Sequence, residues 1–159
     1  MNQRQLAGVY NRIDQFLTQS LLRPCLLLAI PDIQTLQGTA EEIFNHYQWP
    51  TLDLARGVSE HLLYVSPTHR PRKTPGVVSG ELQALTDGPV LCVNIDLLFD
   101  PSLTLDPLHL LREQSRHRLL LVAWPGSYSD GILSYAKPTH SHYRSWEEPA
   151  FRDDCIITL

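Results

Sequence analysis

The sequence predicts an α/β fold of three layers: a parallel sheet covered by helices, followed by a β-hairpin and a final strand at the C-terminus. Three observations carry this. The runs "CLLLAI", "VLCVNI" and "LLLVAW" have the unbroken hydrophobicity of strands buried on both faces. Stretches of helical period separate them. A turn signal, Asp130-Gly131, sits between short strand-like segments near the end.

The elements follow in order. In residues 3–22, Leu6, Val9, Tyr10, Ile13, Phe16, Leu17 and Leu21 recur at helical spacing, an amphipathic helix that Pro24 ends. "RPCLLLAI" is the first strand. "TAEEIFNHYQW" reads as a helix with Thr39 as N-cap and Glu42 three residues on, a capping box. "PTLDL" is a short strand and "RGVSEHLLYV" a helix. "SPTHRPRKTPG" reads as a loop, being dense in proline and basic residues. "VVSGELQALT" is a weak helix interrupted by Gly80. "DGPVLCVNIDLLF" is the second buried strand. A helix follows from about Pro107, with Asp106 as N-cap and proline in the first position. "HRLLLVAW" is the third buried strand, "SYSDGILSYAKP" the hairpin, and "CIITL" the last strand. No repeat or linker divides residues 1–159, so a single domain is expected.

A net charge of -4 gives no general attraction to nucleic acid, so DNA contact is expected only indirectly, through partners. No apolar run is long enough to span a bilayer, and "MNQRQLAGVYNR" lacks the apolar core of a secretion signal, so a cytoplasmic location is expected. Cys25, Cys92 and Cys155 are far apart, odd in number and set in apolar runs, the pattern of buried reduced thiols.

A strand, a turn and a helix at "LLLAIPDIQTLQGTA" have the outline of a phosphate loop. In G-x-x-x-x-G-K-[ST] the glycines let backbone N–H groups close on phosphate, the lysine neutralises charge and the hydroxyl holds Mg²⁺. Here Ile30 and Thr35 stand at the glycine positions, Leu36 at the lysine and Gln37 at the hydroxyl, while Asp32 adds a negative charge. The strand end that would anchor the metal is degraded too: Asn94 follows the apolar run, and Asp96 comes two residues later. The chain therefore reads as a degenerate domain of the phosphate-loop NTPase type, a pseudo-NTPase expected to need no cofactor and to perform no catalysis.

The segments "LLFDPSL", "DPLHLL", "SR", an apolar strand ending in "AWPG", and "LSYAKPTHSHYR" occur in that order. In this, residues 90–146 resemble the BrxF family of small phosphate-loop proteins from type 3 BREX phage-defence systems. The family's glycine-rich loop is normally intact, and this sequence departs from it there and at Asn94. The resemblance implies an interaction or scaffold subunit of a bacterial antiphage complex, with other defence proteins as partners. Self-association is left open.

The remaining candidate sites have weaker signals. Arg116, in "SRHR", could bind phosphate or act in trans as an arginine finger, although a cation at a helix C-terminus needs no such role. His140 and His142 form an H-x-H pair, with Glu147, Glu148 and Asp153 following; no complete metal-ligand set is apparent, so no metal is expected. His69, Arg70, Arg72 and Lys73 could touch DNA phosphates, but a solvated loop accounts for them. Trp124 is expected in the core. Tyr143, Arg144 and Trp146, among polar residues beyond the hairpin, are expected at a partner surface. The rival to a binding role is an enzyme: an NTPase with an unusual site using Asp96 and Arg116, or a metal-dependent nuclease or hydrolase using His140 and His142.

Overall fold

Five parallel strands form the centre: β1 (Cys25–Ala29), β2 (Thr51–Asp53), β3 (Val90–Val93), β4 (Leu120–Trp124) and β8 (Ile156–Thr158), the last numbered after three strands of a smaller sheet. Their order is β2-β3-β4-β1-β8. The smaller sheet is antiparallel and joins β5 (Tyr128–Ser129), β6 (Ile132–Tyr135) and β7 (Arg144–Glu147) in that order. The computed structural model describes residues 2–147, 149 and 152–159. Among them no helix is long and apolar enough to cross a membrane.

Strand alternation sorts the apolar residues into two cores. On one face Leu26, Leu28, Leu91, Leu121 and Ile157 meet α1 (Gln3–Leu17) through Val9, Ile13 and Phe16, and α2 (Ile33–Tyr47) through Leu36, Ala40 and Ile43. On the other, Leu27, Cys92, Leu120, Val122 and Trp124 meet α3 (Leu54–Leu62), α4 (Arg70–Gln83) and α5 (Pro107–Gln114). Each fully buried Leu or Ile contributes roughly 1.5–3 kcal/mol. The three-layer arrangement follows, with every buried run in the place its hydrophobicity required. Cys25, Cys92 and Cys155 are free and buried, and burial pushes the Cys92 thiol up to about 12, so it stays protonated and unreactive.

Several elements differ from expectation. The first helix ends at Leu17, where the Thr18 hydroxyl donates to the Gln15 carbonyl, so Leu21 is not helical. The second starts six residues before Thr39. Asp32 is its N-cap, and Thr39 is a buried helical residue whose hydroxyl donates to the Thr35 carbonyl. The expected loop at "SPTHRPRKTPG" is a 3-10 turn, Pro67–His69, running directly into α4, which continues through Gly76 and Gly80. Pro71 lies in the first turn, where N–H groups have no helical partner. Burial of Thr74, Val78 and Leu82 outweighs the cost of about 1 kcal/mol for each glycine.

Two aromatic groups mark the ends of the molecule. At the N-terminal end of the sheet, Tyr47 stacks on Trp49 at 4.5 Å between ring centres, and Tyr10 stacks on His46 at 4.1 Å. The Tyr47 hydroxyl donates to Asp14 at 2.8 Å; burial and this carboxylate both push its pKa up. At the C-terminal end, Phe99 lies face to face with Tyr135 at 3.6 Å and edge-on to Trp124 at 5.2 Å.

The small sheet is fastened to β4 through Trp124. Its Nε1 donates to the Ser134 carbonyl at 2.8 Å, and the Ser134 N–H donates to the Ser127 carbonyl at 2.8 Å. Gly126 makes this approach feasible: a Cβ there would lie 1.8 Å from the Ser134 oxygen. The hairpin turn has Asp130 (φ 51°) and Gly131 (φ 75°) both left-handed, as its Asp-Gly sequence requires. Gly126→Ala is expected to displace Ser134 and orphan the buried indole N–H, costing about 3 kcal/mol in urea denaturation. An alanine variant as stable as the parent would refute this account of the junction.

Candidate functional site

In a parallel sheet, ligands bind beyond the carboxyl ends of strands, where successive connections leave toward opposite faces. Here that point lies between β1, whose connection enters α2, and β4, whose connection enters the small sheet on the other face. The residues that the sequence reads as a degenerate phosphate loop and as a degenerate strand end meet there. Ile33, Leu36 and Gln37 from α2 and Asn94 and Asp96 from beyond β3 line one cavity, together with Ala123 and Pro125.

The connection itself has no room for a phosphate. β1 ends at Ala29 and α2 begins at Ile33, leaving Ile30, Pro31 and Asp32. Ile30 is buried in the core beneath α2, with its N–H bonded to the Trp124 carbonyl. Thr35, Leu36 and Gln37 are helical; Leu36 faces the core. The cavity in front of this turn measures about 60 Å³ and shares lining residues with a wider groove toward β2.

An internal anion stands where the phosphate charge would be. The Asp32 carboxylate accepts from the Thr35 N–H at 2.8 Å and from the Thr35 hydroxyl at 2.6 Å. These bonds, aided by Lys137, hold its pKa below the ordinary carboxylate value. A helix N-terminus favours negative charge, and in this chain the side chain supplies it.

Asn94 also has a definite task. It lies in the left-handed region (φ 51°), which asparagine tolerates better than most residues. Its amide donates to Asp53 Oδ2 at 2.7 Å, while Asp53 Oδ1 accepts from the Arg56 N–H at 2.9 Å and so caps α3. The Asn94 carbonyl accepts from the Ala55 N–H. An aspartate here would set two carboxylates against each other. Asp96 accepts from the Tyr135 hydroxyl at 3.0 Å, tying β3's exit to the small sheet; burial, then Asp96, raises the Tyr135 pKa.

Other expected residues lie elsewhere. Arg116 pairs with Glu113 at 3.0 Å, and Glu113 also holds Arg23 at 3.0 Å. Arg23 precedes β1, so this group lies at the N-terminal end of the sheet, away from Asp96; the structure does not bring Asp96 and Arg116 together. His140 Nδ1 accepts from the His142 N–H at 3.0 Å, and Glu147 lies on β7. No cluster of three metal-ligating side chains occurs among the described residues; Glu148 and the Asp153 side chain lie outside them. His69 ends a 3-10 turn, and Arg70, Arg72 and Lys73 open α4. The Arg70 Nε donates to the Val65 carbonyl at 3.0 Å.

The expected aromatic surface is divided. Tyr143 is exposed, but Trp146 is half-buried, edge-on to Trp124 at 5.4 Å. Arg144 lies over the Trp146 ring and donates to the Leu105 carbonyl at 2.6 Å. Trp146 and Arg144 thus fasten β7 to the body. Missed from the sequence was the outward stripe of α2, with Ile33 and Phe44 both exposed. An Asp-x-x-Thr cap at Asp32 was the signal for it: starting the helix there puts both residues off its inward face.

Comparison of the chain with models of known protein families, with curated proteins and with solved structures finds no match.

Two outcomes follow from this geometry. The folded Asp32 carboxyl has the lower pKa, so its stabilisation is complete above the unfolded value and is lost as pH falls through the folded one. Asp32→Ala is expected to lower the melting temperature at pH 7, with the gap from the parent closing under acid; a gap independent of pH would contradict the cap's ionic character. Asn94→Asp is expected to cost roughly 1–2 kcal/mol at neutral pH, with the deficit shrinking near pH 4. Chemical denaturation at both pH values checks this.

Proposed function

We propose that the protein is a pseudo-NTPase: a phosphate-loop scaffold without catalysis, serving as an interaction subunit of a bacterial antiphage defence complex. The observation that carries the first half is the three-residue turn from Ala29 to Ile33, with Asp32 in the anion position. A phosphate loop needs backbone N–H groups turned inward around the ligand. Here the Thr35 N–H is occupied by Asp32, and the space in front is about 60 Å³.

The scaffold reading is supported by the parallel order β2-β3-β4-β1-β8, with one strand between β1 and β3, similar to the order in phosphate-loop ATPases. It is supported too by the meeting of Gln37 with Asn94 and Asp96 where a nucleotide would lie in such a protein. The defence assignment rests on the resemblance of residues 90–146 to the BrxF family of type 3 BREX systems, and it implies other defence proteins as partners. In this role the sheet holds surfaces in fixed relation rather than switching with a γ-phosphate.

Calorimetric titration with ATP and Mg²⁺ is expected to show no binding at tens of micromolar, where roughly 6 kcal/mol of affinity would register. Affinity purification from the native host is expected to recover defence-system proteins. ATP turnover by the purified chain would overturn the pseudo-NTPase reading; recovery of the chain alone would overturn the subunit reading.

A further inference from the structure

The sheet is not covered evenly. A parallel sheet ordinarily carries helices across both faces. Here α3, α4 and α5 all lie on one face, leaving α1 and α2 for five strands on the other. α2 packs chiefly against β4 and β3. Beside it, toward β2, is an open groove of about 440 Å³.

Its floor is apolar. Ala40 and Phe44 form the α2 wall, Leu91 and Val93 the base, and Thr51 the outer edge. Phe44 is 42% exposed, and Ile33, three turns back along the same stripe, is 48% exposed. The small cavity at the switch point shares Gln37, Ala40, Val93 and Asn94 with this groove, so the two form one trough. An exposed ring beside an apolar groove is the character of a docking surface rather than of ordinary solvent-facing helix.

The charged side chains that line the trough have one sign, with Lys137 outside it beside Asp32. Glu41 lines the groove and Asp96 its far end, and Asp53 is bonded to Asn94 on the rim. Among the described residues no Lys, Arg or His lines either part. This pattern disfavours nucleic acid. It also disfavours the same patch of a second copy, because two-fold pairing would bring Glu41 toward a trough that offers it no cation.

We infer that the trough between α2 and β2–β3 binds a segment of another protein whose aliphatic or aromatic anchor is flanked by lysine or arginine. The anchor lies over Leu91 and Val93 against Phe44, and the basic flanks meet Glu41 at one side and Asp96 at the end. This rests on the interaction-subunit reading and names the chemistry of its partner.

The test is selection of a random peptide library displayed on phage against the purified full chain. Selected peptides are then made synthetically, and binding is measured by fluorescence anisotropy. Enriched peptides are expected to pair a large apolar residue with flanking Lys or Arg. Their affinity is expected to fall about tenfold for Glu41→Lys and further for Phe44→Asp, and to weaken with added salt. Glu41 is exposed, so its variant is expected to keep the parent's melting temperature, which separates lost binding from lost fold. Three results would each overturn the inference: no enrichment, acidic or uncharged peptides, or basic peptides indifferent to both substitutions. A concentration-dependent dimer of the peptide-free chain, abolished by Phe44→Asp, would assign the trough to a second copy instead. Affinity purification of the parent and Phe44→Asp chains from the native host tells this failure from failure of the interaction-subunit reading: partners recovered equally by both would sink only the trough, and recovery of the chain alone would sink the subunit reading.

Discussion

The right-handed crossover from β1 to β2 is the constraint on which the rest of the structure depends. It must carry the chain past β4 and β3 before β2 can pair at the edge. Handedness then puts α2 on one face, and the return steps from β2 to β3 to β4 put their helices on the other. The two cores, the uneven cover of the sheet and the position of the switch point follow from that single long step. So does the need for a prompt helix start. Ile30 and Leu36 are both buried against the sheet, so the turn between them has to be short. Pro31 and the Asp32 cap provide such a turn, at the expense of space for a ligand.

The carboxylates around the upper end of the sheet have structural work. Asp32, Asp53, Asp100 and Asp106 each cap a helical segment, and Asp96 receives the Tyr135 hydroxyl. The Ser102 hydroxyl, and then its N–H, hold the Asp100 pKa down in the same way that Thr35 holds that of Asp32. Capping orients an acid toward backbone donors, and general-base chemistry requires it to face a substrate. The two uses compete for lone pairs, and at these positions backbone N–H groups, the Asn94 amide and the Tyr135 hydroxyl take up part of them.

Much of the fold was legible in the sequence because a parallel sheet writes itself as unbroken apolar runs. "CLLLAI", "VLCVNI" and "LLLVAW" each became a central strand, and the Asp106-Pro107 signal became an N-cap and first turn. The Asp130-Gly131 turn held because its left-handed backbone admits few other residues. What was hidden had a common cause: tertiary burial overruled local preference. Pro71, Pro75, Gly76 and Gly80 argue against a helix locally, yet Thr74, Val78 and Leu82 bury a face strong enough to impose one. Thr39 has the local signature of a cap, with Glu42 three residues on, but Asp32 starts the helix first and leaves Thr39 inside it. At the candidate site the structure brings Gln37 beside Asn94 and Asp96 after a turn of three residues, and neither the meeting nor the tightness of the turn could be read from spacing alone. Nor could spacing reveal that Trp146 turns inward, because that depends on Phe99 and Trp124 from distant segments.

The three tryptophans have a consequence of another kind. Trp124 and Trp146 share one cluster at the carboxyl end of the sheet, and Trp49 is stacked on Tyr47 at the opposite end. The molecule thus carries two optical reporters set at its poles. Light absorbed at one pole senses the junction with the small sheet, and light absorbed at the other senses the contact between α1 and α2. With Trp49 replaced by phenylalanine, emission would follow the first region alone, so loosening of the small sheet could be watched apart from unfolding of the body. The same intrinsic signal distinguishes a protein that melts as one unit from one that opens first at its C-terminal edge.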